Sequence, residues 1–168
     1  MKVTPYAFAG KRHVFQPSTV HSHPLGTSFP FAAVKGMLTR GKAKLRVDAD
    51  LFHATDQCIV PMSCPVVATL YDAIPFMHPE WASAQFRSLR NYVKKRVAGF
   101  ADHVIAISNY CVEEISHYYE IPTDRISVVY CGVDQKWLSK PSAEQVQTAL
   151  AKRELRAGYF LYVGTLQP

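Results

Sequence analysis

Pro65-Val66-Val67-Ala68-Thr69-Leu70-Tyr71-Asp72-Ala73-Ile74-Pro75-Phe76 is the stretch on which the reading of this chain turns. Its first half is apolar and β-branched, which predicts a short buried strand. The run stops abruptly at the polar pair Tyr71-Asp72, and Pro75 then marks a turn before Met77-His78-Pro79-Glu80-Trp81. In an open α/β sheet, ligands bind outside the carboxyl ends of the strands. Asp72 is therefore the first candidate for a catalytic residue.

Working outward, the pattern repeats. Upstream, Asp50-Leu51-Phe52-His53-Ala54-Thr55 is a compact apolar run and predicts a strand. Downstream, Phe86, Leu89, Val93, Val97 and Phe100 recur at helical spacing and predict a helix with one buried stripe. Asp102–Ser108 reads as the next strand, and Ser108 or Asn109 can cap the helix that follows, with Val112, Ile115 and Tyr119 on its apolar face. Arg125–Tyr130 is a further strand, residues 142–156 carry a helical pattern, and Tyr159–Gly164 reads as a last buried strand. Before residue 48, Val3 and Tyr6–Ala9 suggest a strand, residues 13–27 a loop, and Phe31, Val34 and Leu38 an amphipathic helix weakened by Gly36. Residues 39–46 form a basic connector. Strands alternating with helices predict an α/β fold, a doubly wound parallel sheet covered on both faces.

Composition narrows the class. The chain has 168 residues, enough for one ordinary domain, and is 48% apolar and 19% charged, which excludes wholesale disorder. No apolar run is long enough to span a bilayer, and no secretory leader is legible at the start. The four cysteines form no C-x-x-C pair, which suits reduced thiols in a cytoplasmic protein. The net charge is +6, and residues 1–47 hold eight Lys or Arg with no Asp or Glu. A second basic cluster lies at Arg87, Arg90, Lys94, Lys95 and Arg96. Such fields favour nucleic acid, anionic lipid or phosphorylated substrates, and a plain solvated face accounts for them equally well. Nucleic acid is disfavoured, because Tyr92 is the only aromatic interleaved with the second cluster.

Five segments in one order carry a resemblance: Asp50–Thr55, Val67–Pro75, Ala101–Ser108, Ile126–Asp134 and Phe160–Pro168. Together they resemble the acceptor-side, N-terminal domain of retaining glycosyltransferases of family 4, with the two-domain GT-B architecture. The resemblance covers about residues 48–168. It implies three parts: a poorly matched basic segment over 1–47, a Rossmann-like half of the fold over 48–158, and the first strand of a donor-binding domain over 159–168. It implies an incomplete chain, because the family opens with a strand and Gly-rich loop that nothing here matches. The Arg/Lys pair and Glu-x7-Glu motif that hold the donor would follow Pro168. The implied parent reaction moves a sugar from a nucleotide diphosphate sugar to a saccharide or lipid-linked acceptor, with retention. This chain alone is then expected to be inactive. No cofactor is implied beyond the nucleotide sugar as donor substrate. The rival reading is a non-catalytic α/β module that uses its basic surface to bind phosphorylated or nucleic-acid partners.

The resemblance also assigns roles. Asp72 would orient or hydrogen-bond the reacting acceptor hydroxyl, with capping of the next turn as the structural alternative. Tyr71 stands where many members have His, and Cys131 where Asn is common before Gly-Val-Asp. A phenol donates a hydrogen bond but is a poor base near neutral pH, since its reference pKa is about 10. His53, Ser108 and Asn109 are the further substrate-binding candidates, placed by the sequence on the same sheet edge. A core histidine and simple helix capping are their alternatives. Arg87, Arg90 and Lys94 form an anion or membrane surface. His13, His21 and His23 lack Cys or carboxylate neighbours and do not make a metal site.

Overall fold

The computed structural model describes residues 2–9, 22–81, 86–156 and 158–164. In chain order the elements are β1 (Tyr6–Ala7), β2 (His23–Pro24), α1 (Phe29–Leu38), β3 (Phe52–Ala54), β4 (Val66–Leu70), α2 (Ile74–Met77), α3 (Arg87–Ala98), β5 (His103–Ala106), α4 (Asn109–Tyr119), β6 (Ile126–Val128) and α5 (Ala143–Lys152). The chain divides into two units, Met1–Tyr130 and Cys131–Pro168.

In the first unit β3, β4, β5 and β6 form one sheet in that order, and every pairing is parallel. Parallel neighbours need crossovers. Here α2 and α3 join β4 to β5, and α4 joins β5 to β6. β1 and β2 make a separate parallel pair. The α/β architecture with parallel strands is the one expected. His23 lies in β2, within the stretch read as a loop, while His13 and His21 lie outside the described residues.

One sheet face makes the core. Ala54, Val66, Ala68, Leu70, Val104 and Ala106 point into it and are buried. Ile115 and Tyr119 of α4 and Ala98 of α3 belong to the same cluster. Each fully buried Ile, Leu or Val contributes about 1.5–3 kcal/mol over leaving it exposed. Asp102 fixes the start of β4: its Oδ2 accepts from the Val66 N–H at 2.7 Å, and its own N–H donates to the Val66 carbonyl at 2.8 Å.

The second face differs from the doubly covered sheet that continuous apolar strands suggest. It carries His53, Val67, Thr69, His103, Ile105 and Ser127, and among the described residues it is half-open. Polar bonds tile it instead of packing: His53 Nε2 lies 2.8 Å from Thr69 Oγ1, and His103 Nε2 lies 2.9 Å from Ser127 Oγ.

Two helical faces also depart from the periodicity. In α1 the buried residues are Ala32, Ala33 and Gly36, while Phe31, Val34 and Leu38 are exposed. The helix is selected for close approach rather than apolar bulk. A Cβ on Gly36 would stand 2.8 Å from Pro61 Cδ and 3.2 Å from Phe100 Cε2. In α3 only the last turn is buried, at Val97 and Ala98, and Phe86 and Leu89 remain exposed. The amphipathic stripe therefore outruns the sheet that it packs on.

The second unit contains α5, begun by a reciprocal capping box between Ser142 and Gln145. The strand expected over residues 159–164 is not formed. These residues are irregular and exposed. A parallel-type strand is stable only against neighbours, and the described residues of this unit contain no other strand.

Candidate functional site

The carboxyl ends of β3, β4, β5 and β6 line one edge of the sheet, because all four strands run the same way. At the end of β4, Tyr71 and Asp72 leave the sheet before α2. Asp72 Oδ1 accepts the Ile74 N–H at 3.0 Å. The carboxylate thus does cap the turn, as its structural alternative proposed. That bond engages one oxygen. Tyr71 Oη donates to the Thr55 carbonyl at 3.2 Å, stitching the end of β4 to the end of β3.

Two elements hold this turn from the side. From α4, Tyr119 Oη donates to the backbone carbonyl of Asp72 at 3.4 Å. Phe76 of α2 packs edge-on against Tyr119 with ring centroids 4.9 Å apart, and stacks with Tyr118 at 6.0 Å. Burial pushes the Tyr119 phenol well above its ordinary pKa, and the Asp72 carboxylate adds to the shift. From α3, Asn91 Nδ2 donates to the Pro75 carbonyl at 2.9 Å. One turn further on, the half-buried Lys94 is held below the usual ammonium pKa, first by desolvation and then by Arg90, with Asp72 opposing. The Asp72 carboxylate therefore acts on both Lys94 and Tyr119.

At the end of β5, Ser108 caps α4. Its Oγ accepts the Cys111 N–H at 3.4 Å and donates to Cys111 Sγ at 3.2 Å. Asn109 Nδ2 donates to the Tyr130 Oη at 3.0 Å, so the ends of β5 and β6 are tied by a polar, exposed pair. Ser108 and Asn109 reach the same edge as Asp72, as the sequence placed them.

His53 does not. It sits in the middle of β3, paired with Val67, five residues before Asp72. At about 3.3 Å per residue this separates the two positions by ~16 Å along the strand. His53 is also exposed on the half-open face, so it is not a core histidine either. The separation comes from register: β3 ends at Ala54 opposite Ala68, two residues short of the end of β4 at Leu70.

Past α2, His78 stacks on Trp81 with centroids 4.0 Å apart, and its Nδ1 lies 3.1 Å from Glu80 Oε1. The Glu80 carboxyl is held below its ordinary value by its own backbone N–H first, and then by His78. The Arg87 guanidinium adds a smaller contribution in the same direction. Of the three cations read as one surface, Lys94 is the one on which the Asp72 carboxylate acts. Tyr119 and Tyr130 were missed as site neighbours. A tyrosine in an otherwise apolar helical stripe is the signal, because a buried hydroxyl needs a partner.

Among the described residues, no group of three His, Cys, Asp or Glu could hold a metal ion, and no helix is long and apolar enough to cross a membrane. A shallow cavity lined by Gly41, Lys44, Met62, Cys64, Phe100 and Asp102 lies at the amino end of β4, opposite the edge just described. None of the curated proteins compared with the chain matches it. The family model described as Glycosyltransferase Family 4 matches residues 3–137, which takes in the basic N-terminal segment as well as the sheet and its carboxyl edge. The chain belongs to glycosyltransferase family 4.

Proposed function

We propose that this chain forms the acceptor side of a retaining, two-domain glycosyltransferase. In this reading the enzyme transfers a sugar from a nucleotide diphosphate sugar to a saccharide or lipid-linked acceptor. The observation that carries it is a carboxylate at the carboxyl end of the inner strand β4, bonded within its own turn, on a residue whose backbone carbonyl accepts from Tyr119 of α4, in a family 4 chain. Asp72 receives the acceptor hydroxyl and orients it toward the sugar. Tyr71, Asn109 and Tyr130 line the edge on either side and supply hydroxyl and amide groups for a saccharide. Ser108 acts through the start of α4.

The donor belongs to a second domain that faces this edge, where cationic groups stabilise the leaving diphosphate electrostatically. No metal takes part. The enzyme works in the cytoplasm and touches an anionic membrane at its periphery. Exposed Phe86, Leu89 and Trp81 beside the cations of α3 support that contact, since apolar anchors with basic neighbours favour an anionic interface.

The test has two arms. Amide shifts of the chain titrated with oligosaccharides should concentrate at Asp72, Asn109 and Tyr130. With a family 4 donor domain joined to its C-terminal end, the chain should transfer sugar. Asp72→Asn should then lower kcat by about 10²–10⁴, the usual weight of one acid–base group. Full turnover in Asp72→Asn, or efficient transfer by the chain without a donor domain, would refute the assignment.

A further inference from the structure

We infer that the outward face of α1, with the row of cations that follows it, is a docking surface for an anionic lipid membrane. It rests on the peripheral membrane contact proposed above and names a surface, outside α3, that makes it.

The apolar stripe of α1 faces solvent. At about 100° per residue, Phe31, Val34 and Leu38 fall on one side of the helix, and Ala32, Ala33 and Gly36 fall on the opposite side. The small residues are the buried ones, whereas the large ones are 64%, 51% and 81% exposed. Apolar side chains scattered singly over a surface are ordinary, but a continuous row of them marks an interaction site. The helix cannot roll to bury the row, because Gly36 lies against Pro61 and Phe100 with no room there for a larger side chain.

Cations stand next to this stripe. Lys35 follows Phe31 by one turn and is exposed. Arg40 comes directly after the helix, and the Gly41 N–H donates back to the Gly36 carbonyl at 2.8 Å, which folds the chain against α1. In the extended segment that follows, Leu45 and Val47 pack on the core, while Lys42, Lys44 and Arg46, at every second position, are exposed. The Leu45 N–H donates to the Pro61 carbonyl at 2.8 Å, so the helix and the cationic row are fastened to one residue. Among the described residues none of these cations forms an ion pair, and residues 1–47 contain no Asp or Glu.

Charge selects the occupant. An apolar ridge beside unpaired cations matches the boundary of an anionic bilayer, where Phe, Val and Leu enter the acyl layer and the stems of Lys and Arg reach the headgroups. A second copy of the chain matches poorly, because a symmetric pair through this face would bring the cations of both copies together.

The experiment is co-flotation of the purified chain with vesicles of phosphatidylglycerol mixed into phosphatidylcholine, and with vesicles of phosphatidylcholine alone. The chain should prefer the anionic vesicles, and added salt should reduce that preference. Phe31→Ser and Leu38→Ser should each weaken binding about tenfold, the weight of one apolar side chain withdrawn from water. Lys42→Gln combined with Arg46→Gln should leave binding to phosphatidylcholine unchanged and remove most of the anionic preference. All four residues are exposed, so the variants should fold, and melting curves check it. Undiminished binding in Phe31→Ser and Leu38→Ser overturns the inference; a loss in Leu89→Ser would then leave the proposed contact to α3. Equal binding to the two kinds of vesicle also overturns it, as does a self-association in light scattering that Leu38→Ser abolishes, which would assign the face to a second copy. Absence of vesicle binding by the parent chain overturns both membrane readings. No sugar or nucleotide takes part, so the transferase reading is decided separately, by turnover in Asp72→Asn.

Discussion

Gly36→Ala offers the sharpest test of how α1 is seated. In a solvent-facing helix the change would stabilise by about 1 kcal/mol, because alanine is the better helix former. Here the new Cβ would lie 2.8 Å and 3.0 Å from Pro61 Cδ and Cγ, and 3.2 Å from Phe100 Cε2. Carbon atoms pack at about 3.5–4.0 Å, so the contacts are short by several tenths of an ångström. Pro61 has little freedom to yield. Its ring is closed on its own backbone, it is buried, and its carbonyl accepts the Leu45 N–H at 2.8 Å. Overpacking by one carbon costs about 1–3 kcal/mol. With the upper part of that range offset by the propensity gain, the net loss is about 1–2 kcal/mol. At a urea m-value of about 2 kcal/mol/M, the midpoint should fall by roughly 0.5–1 M. Gly99→Ala is the control, since its Cβ would come no closer than 3.4 Å to the Arg96 carbonyl. That variant should be near neutral. A midpoint for Gly36→Ala equal to or above the parent's would refute the close packing of α1 on Pro61.

Two further outcomes follow from the burial pattern. Val97→Ala should cost about 2–3 kcal/mol of unfolding free energy, whereas Leu89→Ala, eight residues earlier on the same apolar stripe, should stay within about 0.5 kcal/mol; similar losses would mean that the whole stripe of α3 is covered. Tyr119→Phe should cost no more than about 1 kcal/mol at neutral pH, since its hydrogen bond to the Asp72 carbonyl is long at 3.4 Å. Its effect on the alkaline side has a definite sign. The folded phenol is raised above its unfolded value of about 10, so the unfolded chain releases its proton first and stability falls as pH rises past that value. Tyr119→Phe should remove that share of the alkaline loss in urea melts at rising pH, and an identical slope for both chains would contradict the burial of the hydroxyl.

The strand at 66–70, the helices of residues 87–98 and 109–119, and the parallel class of the sheet were all legible in the residues. Local rules suffice for these: β-branched runs, 3.6-residue spacing, and a serine placed to cap. The edge carrying Asp72, Ser108 and Asn109 was legible for the same reason, since parallel strands must all end on one side. His53 was misplaced because a strand's end depends on its partner's register. Which apolar stripes would be covered was equally hidden. Phe31, Val34 and Leu38 have the spacing of a core face, yet Ala32, Ala33 and Gly36 are the residues that touch the core, because Pro61 and Phe100 leave room for little else.

The sequence by itself determined the order of elements and the carboxylate at the end of β4. Only the tertiary structure decided what surrounds that carboxylate. Lys94 and Tyr119 lie 22 and 47 residues from Asp72 along the chain. Neither the hydrogen bond from Tyr119 to the Asp72 carbonyl nor the action of the Asp72 carboxylate on Lys94 follows from any local pattern. The half-open second face also emerged only from the packing. Strand composition records what a sheet can bury, whereas the helices that dock on it decide what is buried.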